Sequence, residues 1–152
     1  MKRSLLLATL LPAALLACTD KAADSGNNSS APVAAAPAGA DWTQTVSKTE
    51  AGGFVMGNPN APVKLIEFGA LTCSHCAAFA KEGTEGVKSY VAKGTVSFEF
   101  RNFMLNVIDV PAAIVARCGG PGPYFQITEQ LFATQHDWMA KTSTITPAEQ
   151  AT

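Results

Sequence analysis

Two stretches of this chain alternate between faces, and the segment joining them does not. From Val63 to Phe68 a period of two sets Val63, Leu65 and Glu67 on one face and Lys64, Ile66 and Phe68 on the other, which predicts a short strand. From Thr95 to Phe103 the alternation is cleaner, with Val96, Phe98 and Phe100 opposed to Ser97, Glu99 and Arg101. Between them Cys76, Phe79, Ala80, Gly83, Val87, Tyr90 and Val91 recur at helical spacing, so a helix from Cys76 to Tyr90 is expected to lay that face on the sheet. A crossover of about 15 residues joins parallel strands, and the pattern predicts a right-handed β-α-β unit. Gly83 and Gly86 each weaken the helix by about 1 kcal/mol relative to alanine and mark a kink, and Gly94 stops it.

The flanks are read from turn formers and caps. Gly57-Asn58-Pro59-Asn60-Ala61-Pro62 delivers the chain into the first long strand, and upstream of it Trp42 to Val46 and Phe54 to Met56 read as short strands around Gly52-Gly53. After the second long strand the period turns helical. Asp109 is placed to cap a helix beginning at Val110, with Pro111 in its first turn and Gly119-Gly120 at its end. A further helix is expected near Pro123, carrying Ile127, Leu131 and Trp138. Thr146-Pro147-Ala148-Glu149 announces one more, yet the sequence stops at Thr152, as a fragment or a truncated reading frame would.

Composition changes the picture mainly at the N-terminus. Lys2 and Arg3 precede the apolar run Leu5 to Ala17, broken only by Thr9 and Pro12, which is too short to span a bilayer but fits an export signal. Leu15-Leu16-Ala17-Cys18 resembles a bacterial lipobox, with Cys18 as the residue that takes the lipid. Residues 19–40 are rich in Ala, Pro, Ser, Gly and Asn and hold one bulky apolar residue, Val33; they bury too little to offset their ordering entropy and read as a tether. The expected layout is a lipoprotein signal over 1–17, a tether over 18–41 and one domain over 42–152, with 104–152 as a helical insertion. In 152 residues the net charge is −1 and the basic residues are scattered, which excludes nucleic-acid binding through a basic patch.

The chemistry concentrates in Leu71-Thr72-Cys73-Ser74-His75-Cys76. A C-x-x-C alone is half a zinc site, a structural disulfide or a redox pair. Here it follows a strand and opens a helix, where unpaired N–H groups and the helix dipole favour a thiolate at Cys73. Glu67, at the end of the strand, is either solvated at its rim or partly buried with a raised pKa, and its place just before the cysteine turn favours burial. A metal site built on Cys73, His75 and Cys76 lacks the second Cys/His pair that a structural zinc needs. Cys118 reads as a buried thiol among Ile114, Val115 and Ala116, or as a partner for another protein's cysteine; His136 reads as a surface residue.

From about Phe54 onward the chain resembles the DsbA-like branch of the thioredoxin superfamily, the exported thiol-disulfide oxidoreductases. The resemblance rests on Gly57-Asn58-Pro59-Asn60-Ala61-Pro62-Val63, Glu67-Phe68, Cys73-Ser74-His75-Cys76 and Arg101-Asn102-Phe103 followed by helices. It implies an α/β thioredoxin-like fold with a helical insertion and no cofactor. It implies a redox-active Cys73–Cys76 disulfide, with Cys73 as nucleophile and Cys76 as resolving thiol. Glu67, six residues before Cys73, matches the family's buried acid that assists proton transfer. His75 matches the histidine whose stabilisation of the thiolate makes the disulfide oxidising. The implied partners are reduced exported polypeptides and a membrane redox partner that re-oxidises the motif, in the periplasm or cell envelope of a bacterium. Two features depart from the pattern: Ser74 stands where proline is usual, and the cis-proline loop, hairpin and last helix of the C-terminal half of the thioredoxin domain have no counterpart. That leaves an open sheet edge, an aggregation hazard, and sets three alternatives beside the oxidase: a reductase or isomerase, a metal-binding or scaffold lipoprotein, and an inactive truncated product.

Overall fold

A computed structural model describes residues 41–142 and Ala36 of the chain. The signal, Cys18, most of the tether and the helix start at Thr146 lie outside the described residues. The sheet has four strands, β1 (Val46–Lys48), β2 (Phe54–Gly57), β3 (Val63–Gly69) and β4 (Val96–Asn102), in the order β1-β2-β4-β3. β1 pairs antiparallel with β2 and β2 antiparallel with β4, while β3 runs parallel to β4 with Leu65 opposite Phe98 and Glu67 opposite Phe100. The parallel pairing of the two long strands is the one expected from their spacing.

The crossover is two helices rather than one kinked helix: α1 (Ser74–Glu82) and α2 (Thr84–Ala92). The break falls at Gly83 because the Phe79 ring lies over it, where an added Cβ would sit 2.6 Å from the ring edge; at Gly86 a Cβ would meet nothing. Gly94, at φ 72°, adopts the left-handed conformation that ends α2 and places Thr95 N–H on Tyr90 O at 3.2 Å.

Three further expectations are corrected. Trp42–Gln44 is a 3-10 turn, not an edge strand, because the Asp41 carboxylate accepts the Thr43 N–H at 2.8 Å and folds the backbone before β1 begins at Val46. Trp138 belongs to α5 (Gln135–Thr142), not to α4 (Tyr124–Ala133); the chain bends between them at Thr134, and the indole N–H of Trp138 donates back to Leu131 O at 2.8 Å. Cys118 is exposed, not buried. α3 (Asp109–Arg117) packs inward through Ala112, Ala113 and Ala116, and Cys118 follows its last turn on a side that also leaves Ile114 62% exposed.

The helices cover one face of the sheet. Phe54 and Met56 of β2 and Phe98 and Phe100 of β4 are buried with Tyr124, Phe125 and Phe132 of α4 and Val91 of α2. Phe54 stacks on Tyr124 with ring centroids 3.9 Å apart, and Phe132 meets Phe100 edge-on at 6.0 Å. On the opposite face Arg101 forks onto Glu99 at 2.8 and 2.9 Å, and Thr49 Oγ1 donates to the same carboxylate at 2.6 Å. β3 ends the row of described strands, and Phe68, whose ring lies under the Arg101 guanidinium, is 65% exposed.

Gly69 closes β3 against the core. A Cβ there would lie 2.5 Å from the Phe100 ring and 3.0 Å from Glu67 Oε1. Gly69→Ala is therefore expected to destabilise the domain by about 1–3 kcal/mol through overpacking, read as a lower midpoint of urea unfolding.

Candidate active site

The reactive turn sits where β3 ends and α1 begins. Cys73 is the N-cap of α1, in extended conformation, and its side chain makes no capping bond. Its sulfur is thus free to face the first-turn N–H groups, the arrangement that favours an anion at a helix start. Both Cys73 and Cys76 are free thiols and half-buried.

The two thiols are driven apart. The Cys73 thiol is held below its ordinary pKa, first by the backbone N–H of Cys76, then by the Cys76 side chain, with a lesser contribution from the His75 N–H; burial and the Asp109 charge act the other way. Burial, and next the hydrogen bond to Cys73, push the Cys76 thiol up to about 11. One sulfur is thus suited to exist as thiolate and the other as thiol.

Glu67 lies on the same side of β3 as Leu65, opposite Phe98 and Phe100, where Leu65 stays exposed, and it lines an open groove with His75, Cys76 and Phe79. Burial raises its carboxyl to about 7, and its charge is one of the influences felt by Cys76. His75 itself is exposed. Its backbone N–H, rather than its ring, is the group that lowers Cys73, and the residue borders the Glu67–Cys76 groove. Glu67, His75 and Cys76 are therefore brought together at the groove, and Cys73 joins them through its hydrogen bond with Cys76; Cys118 lies past the end of α3, and His136 Nδ1 lies 3.6 Å from Asp137 Oδ1 on α5. Among the described residues no group of three or more His, Cys, Asp or Glu converges as a metal requires, and no helix is long and apolar enough to cross a membrane.

Sequence reasoning missed the groups that hold the turn. Asp109, expected to cap α3, is instead the first residue of that helix, 1% exposed, and its carboxylate reaches back to the reactive turn. Thr72 N–H donates to Oδ1 at 2.9 Å, and Thr72 Oγ1 donates to Oδ2 at 2.9 Å. From α5, Gln135 Nε2 donates to Leu71 O at 2.8 Å and Cys73 O at 3.0 Å. These contacts span 37 and 62–64 positions of sequence, beyond any local pattern; the one hint was a carboxylate at 109 among apolar helix residues.

The geometry has counterparts. A family model described as thioredoxin matches residues 49–152. Two relatives named "putative protein-disulfide oxidoreductase" are similar: that of Rickettsia prowazekii is 29% identical over 98 residues, 63% of this chain and 36% of its own length, and that of Rickettsia conorii is 30% identical over 91 residues, 59% and 33%. The chain thus spans about a third of the length of these curated relatives. Among solved structures, a protein-disulfide isomerase from Novosphingobium aromaticivorans superposes with a TM-score of 0.58 at 31% identity, over 64% of this chain and 50% of that one. α-DsbA1 of Wolbachia pipientis does so with a TM-score of 0.52 at 30% identity, over 55% and 43%.

Proposed function

This chain belongs to the thioredoxin family, in its DsbA-like branch, and from that premise we propose that it is a thiol-disulfide oxidoreductase oxidising cysteine pairs of exported polypeptides through a Cys73–Cys76 disulfide. The observation that carries this is the division between the two sulfurs, Cys73 held down and Cys76 pushed up to about 11. A structural disulfide has no use for that difference, whereas exchange needs one sulfur that leaves and attacks as thiolate and one that waits as thiol.

A substrate thiolate attacks Cys73 Sγ, the Cys73–Cys76 bond breaks, and Cys76 departs and takes up a proton. With a pKa of about 7, Glu67 is the nearby acid able to give that proton at neutral pH and to take it back when Cys76 later resolves a mixed disulfide. The second substrate thiolate then attacks its partner sulfur in the mixed disulfide and releases Cys73 as thiolate. Two electrons have passed from the substrate dithiol to the pair, and a membrane redox partner removes them. Backbone N–H groups of His75 and Cys76 hold the released thiolate.

Cys76→Ser separates these roles. Incubated with glutathione disulfide, the variant is expected to accumulate a stable mixed disulfide on Cys73, seen as glutathione on the Cys73 peptide by mass spectrometry and so told apart from any on the exposed Cys118, while the parent passes through it to an internal disulfide. Equal, transient labelling of both proteins would remove Cys76 from the resolving role.

The envelope location rests on sequence: a signal over 1–17, a lipid on Cys18 and a tether over 18–41 leading to the thioredoxin-like domain over 42–152, with 104–152 as its insertion. Isomerisation is the second reading, favoured by the likeness to the Novosphingobium isomerase. Recovery of native pairing from a substrate with scrambled disulfides divides the two, since an isomerase restores it and an oxidant does not; equilibration with glutathione separates either from a reductase, whose disulfide, like thioredoxin's, is reduced only at far higher glutathione.

A further inference from the structure

Four donors converge on one buried carboxylate beside the reactive turn. Besides the two groups of Thr72, Asp109 Oδ2 accepts the Leu105 N–H at 2.9 Å and the Asn106 N–H at 3.0 Å. Asn106 Nδ2 donates in turn to Thr72 Oγ1 at 2.8 Å. The carboxylate is therefore satisfied entirely by acceptance, and it ties three pieces of chain together: the residue before Cys73, the β4–α3 loop and the first turn of α3. A helix start needs none of this, since α3 has no side-chain cap and loses none if Asp109 turns away.

We propose that Asp109 is a positioning residue for the Cys73 thiol, acting through Thr72 to fix the reactive turn against the helical segment. The proposal rests on the exchange function above and adds a group not assigned to it. Thr72 N–H is one of three consecutive backbone anchors, with Leu71 O and Cys73 O held by Gln135 Nε2. Both neighbours of the Cys73 peptide are thereby pinned by side chains from α3 and α5, and the direction of the Cα–Cβ bond of Cys73 follows from them. Small displacements of a reacting atom cost rate steeply. The same carboxylate acts on the sulfur with like charge, a minor influence opposing the thiolate that Cys76 and His75 favour. The groups that act on Cys73 are then Cys76, His75 and Asp109, with Glu67 acting on Cys76 behind it.

Two variants separate the tether from the charge. Thr72→Val keeps the Asp109 carboxylate and removes the hydroxyl that binds it. Asp109→Asn keeps the shape, removes the charge and sets a donor NH2 where one of the two acceptor oxygens stood, so it loses part of the tether as well. In the reduced protein the Cys73 thiolate is titrated by its ultraviolet absorbance, and the alkylation rate with iodoacetamide is divided by the thiolate fraction. Both variants are expected to lose roughly tenfold in rate per thiolate. Only Asp109→Asn is expected to move the titration midpoint, and to move it downward, with the glutathione equilibrium displaced toward the reduced form. If both variants change the urea midpoint alone, with titration, rate per thiolate and glutathione equilibrium as in the parent, Asp109 is a structural staple and the proposal is overturned. Should Asp109→Asn fail to fold, the rate per thiolate of Thr72→Val decides by itself. Alkylation needs no disulfide exchange, so a parent that does not react with glutathione disulfide faster than free cysteine defeats the proposed function without touching this result.

Discussion

Cys73→Ser is expected to lower disulfide exchange by roughly a thousandfold or more, the loss typical of removing a nucleophile that the other groups serve. Oxidation of a fluorescent dithiol peptide under a glutathione redox buffer measures it. Neither other described thiol substitutes: Cys76, pushed up to about 11, holds little thiolate at neutral pH, and Cys118 lies past the end of α3. The stability prediction has the opposite sign. Cys73 occupies the N-cap of α1 without a capping bond, and serine is among the best residues for that position, so the reduced variant is expected to match or exceed the reduced parent by about 0.5–1 kcal/mol. An inactive protein that unfolds no earlier shows that the helix start is shaped for the sulfur and not the sulfur for the helix. An active Cys73→Ser variant would transfer the nucleophile elsewhere and sink the mechanism.

Much of this site could be read from the chain because it is local. The end of the strand that carries Glu67, the turn and the helix start lie within ten residues of one another, and a period of two followed by helical spacing fixes how they meet. The parallel pairing of β3 with β4 followed from the same periods and from the length between them, and the thioredoxin-like arrangement with its helical insertion is the one the motifs announced. What escaped was decided by contacts between distant residues. Asp109 obeys the sequence rule for a cap, but a cap is a default that any better set of donors overrides, and Thr72, Leu105 and Asn106 supply one. Gly83 and Gly86 look alike in sequence; only the Phe79 ring distinguishes them. Cys118 sits among apolar neighbours, yet α3 packs through its alanines, because small side chains let it approach α4 closely and turn the larger ones outward.

Glu67→Gln is the second large effect, and its sign depends on pH. Desolvation raises the Glu67 carboxyl to about 7 from its ordinary value of 4.5. A group whose pKa is raised by folding contributes its full stability below the unfolded value and loses it as pH climbs through the folded one. In the parent, stability should therefore fall between about pH 4.5 and 7 and level off above. The complete shift corresponds to about 3 kcal/mol at 1.36 kcal/mol per pH unit; because the carboxyl is only partly withdrawn from water, about 1–3 kcal/mol is the expected size. Glutamine has no proton to lose. Glu67→Gln should match the parent near pH 4.5 and exceed it by that amount at pH 8, measured by urea unfolding of the reduced proteins. Catalysis moves the other way. Without a group that trades protons with Cys76, the resolving step at pH 7 is expected to slow by about a hundredfold and to lose its break near pH 7, following the Cys76 thiol alone. The two readouts share one cause, a carboxyl kept neutral by burial until a proton is needed. A variant as slow as predicted but no more stable at pH 8 would mean that Glu67 is solvated and acts by position alone.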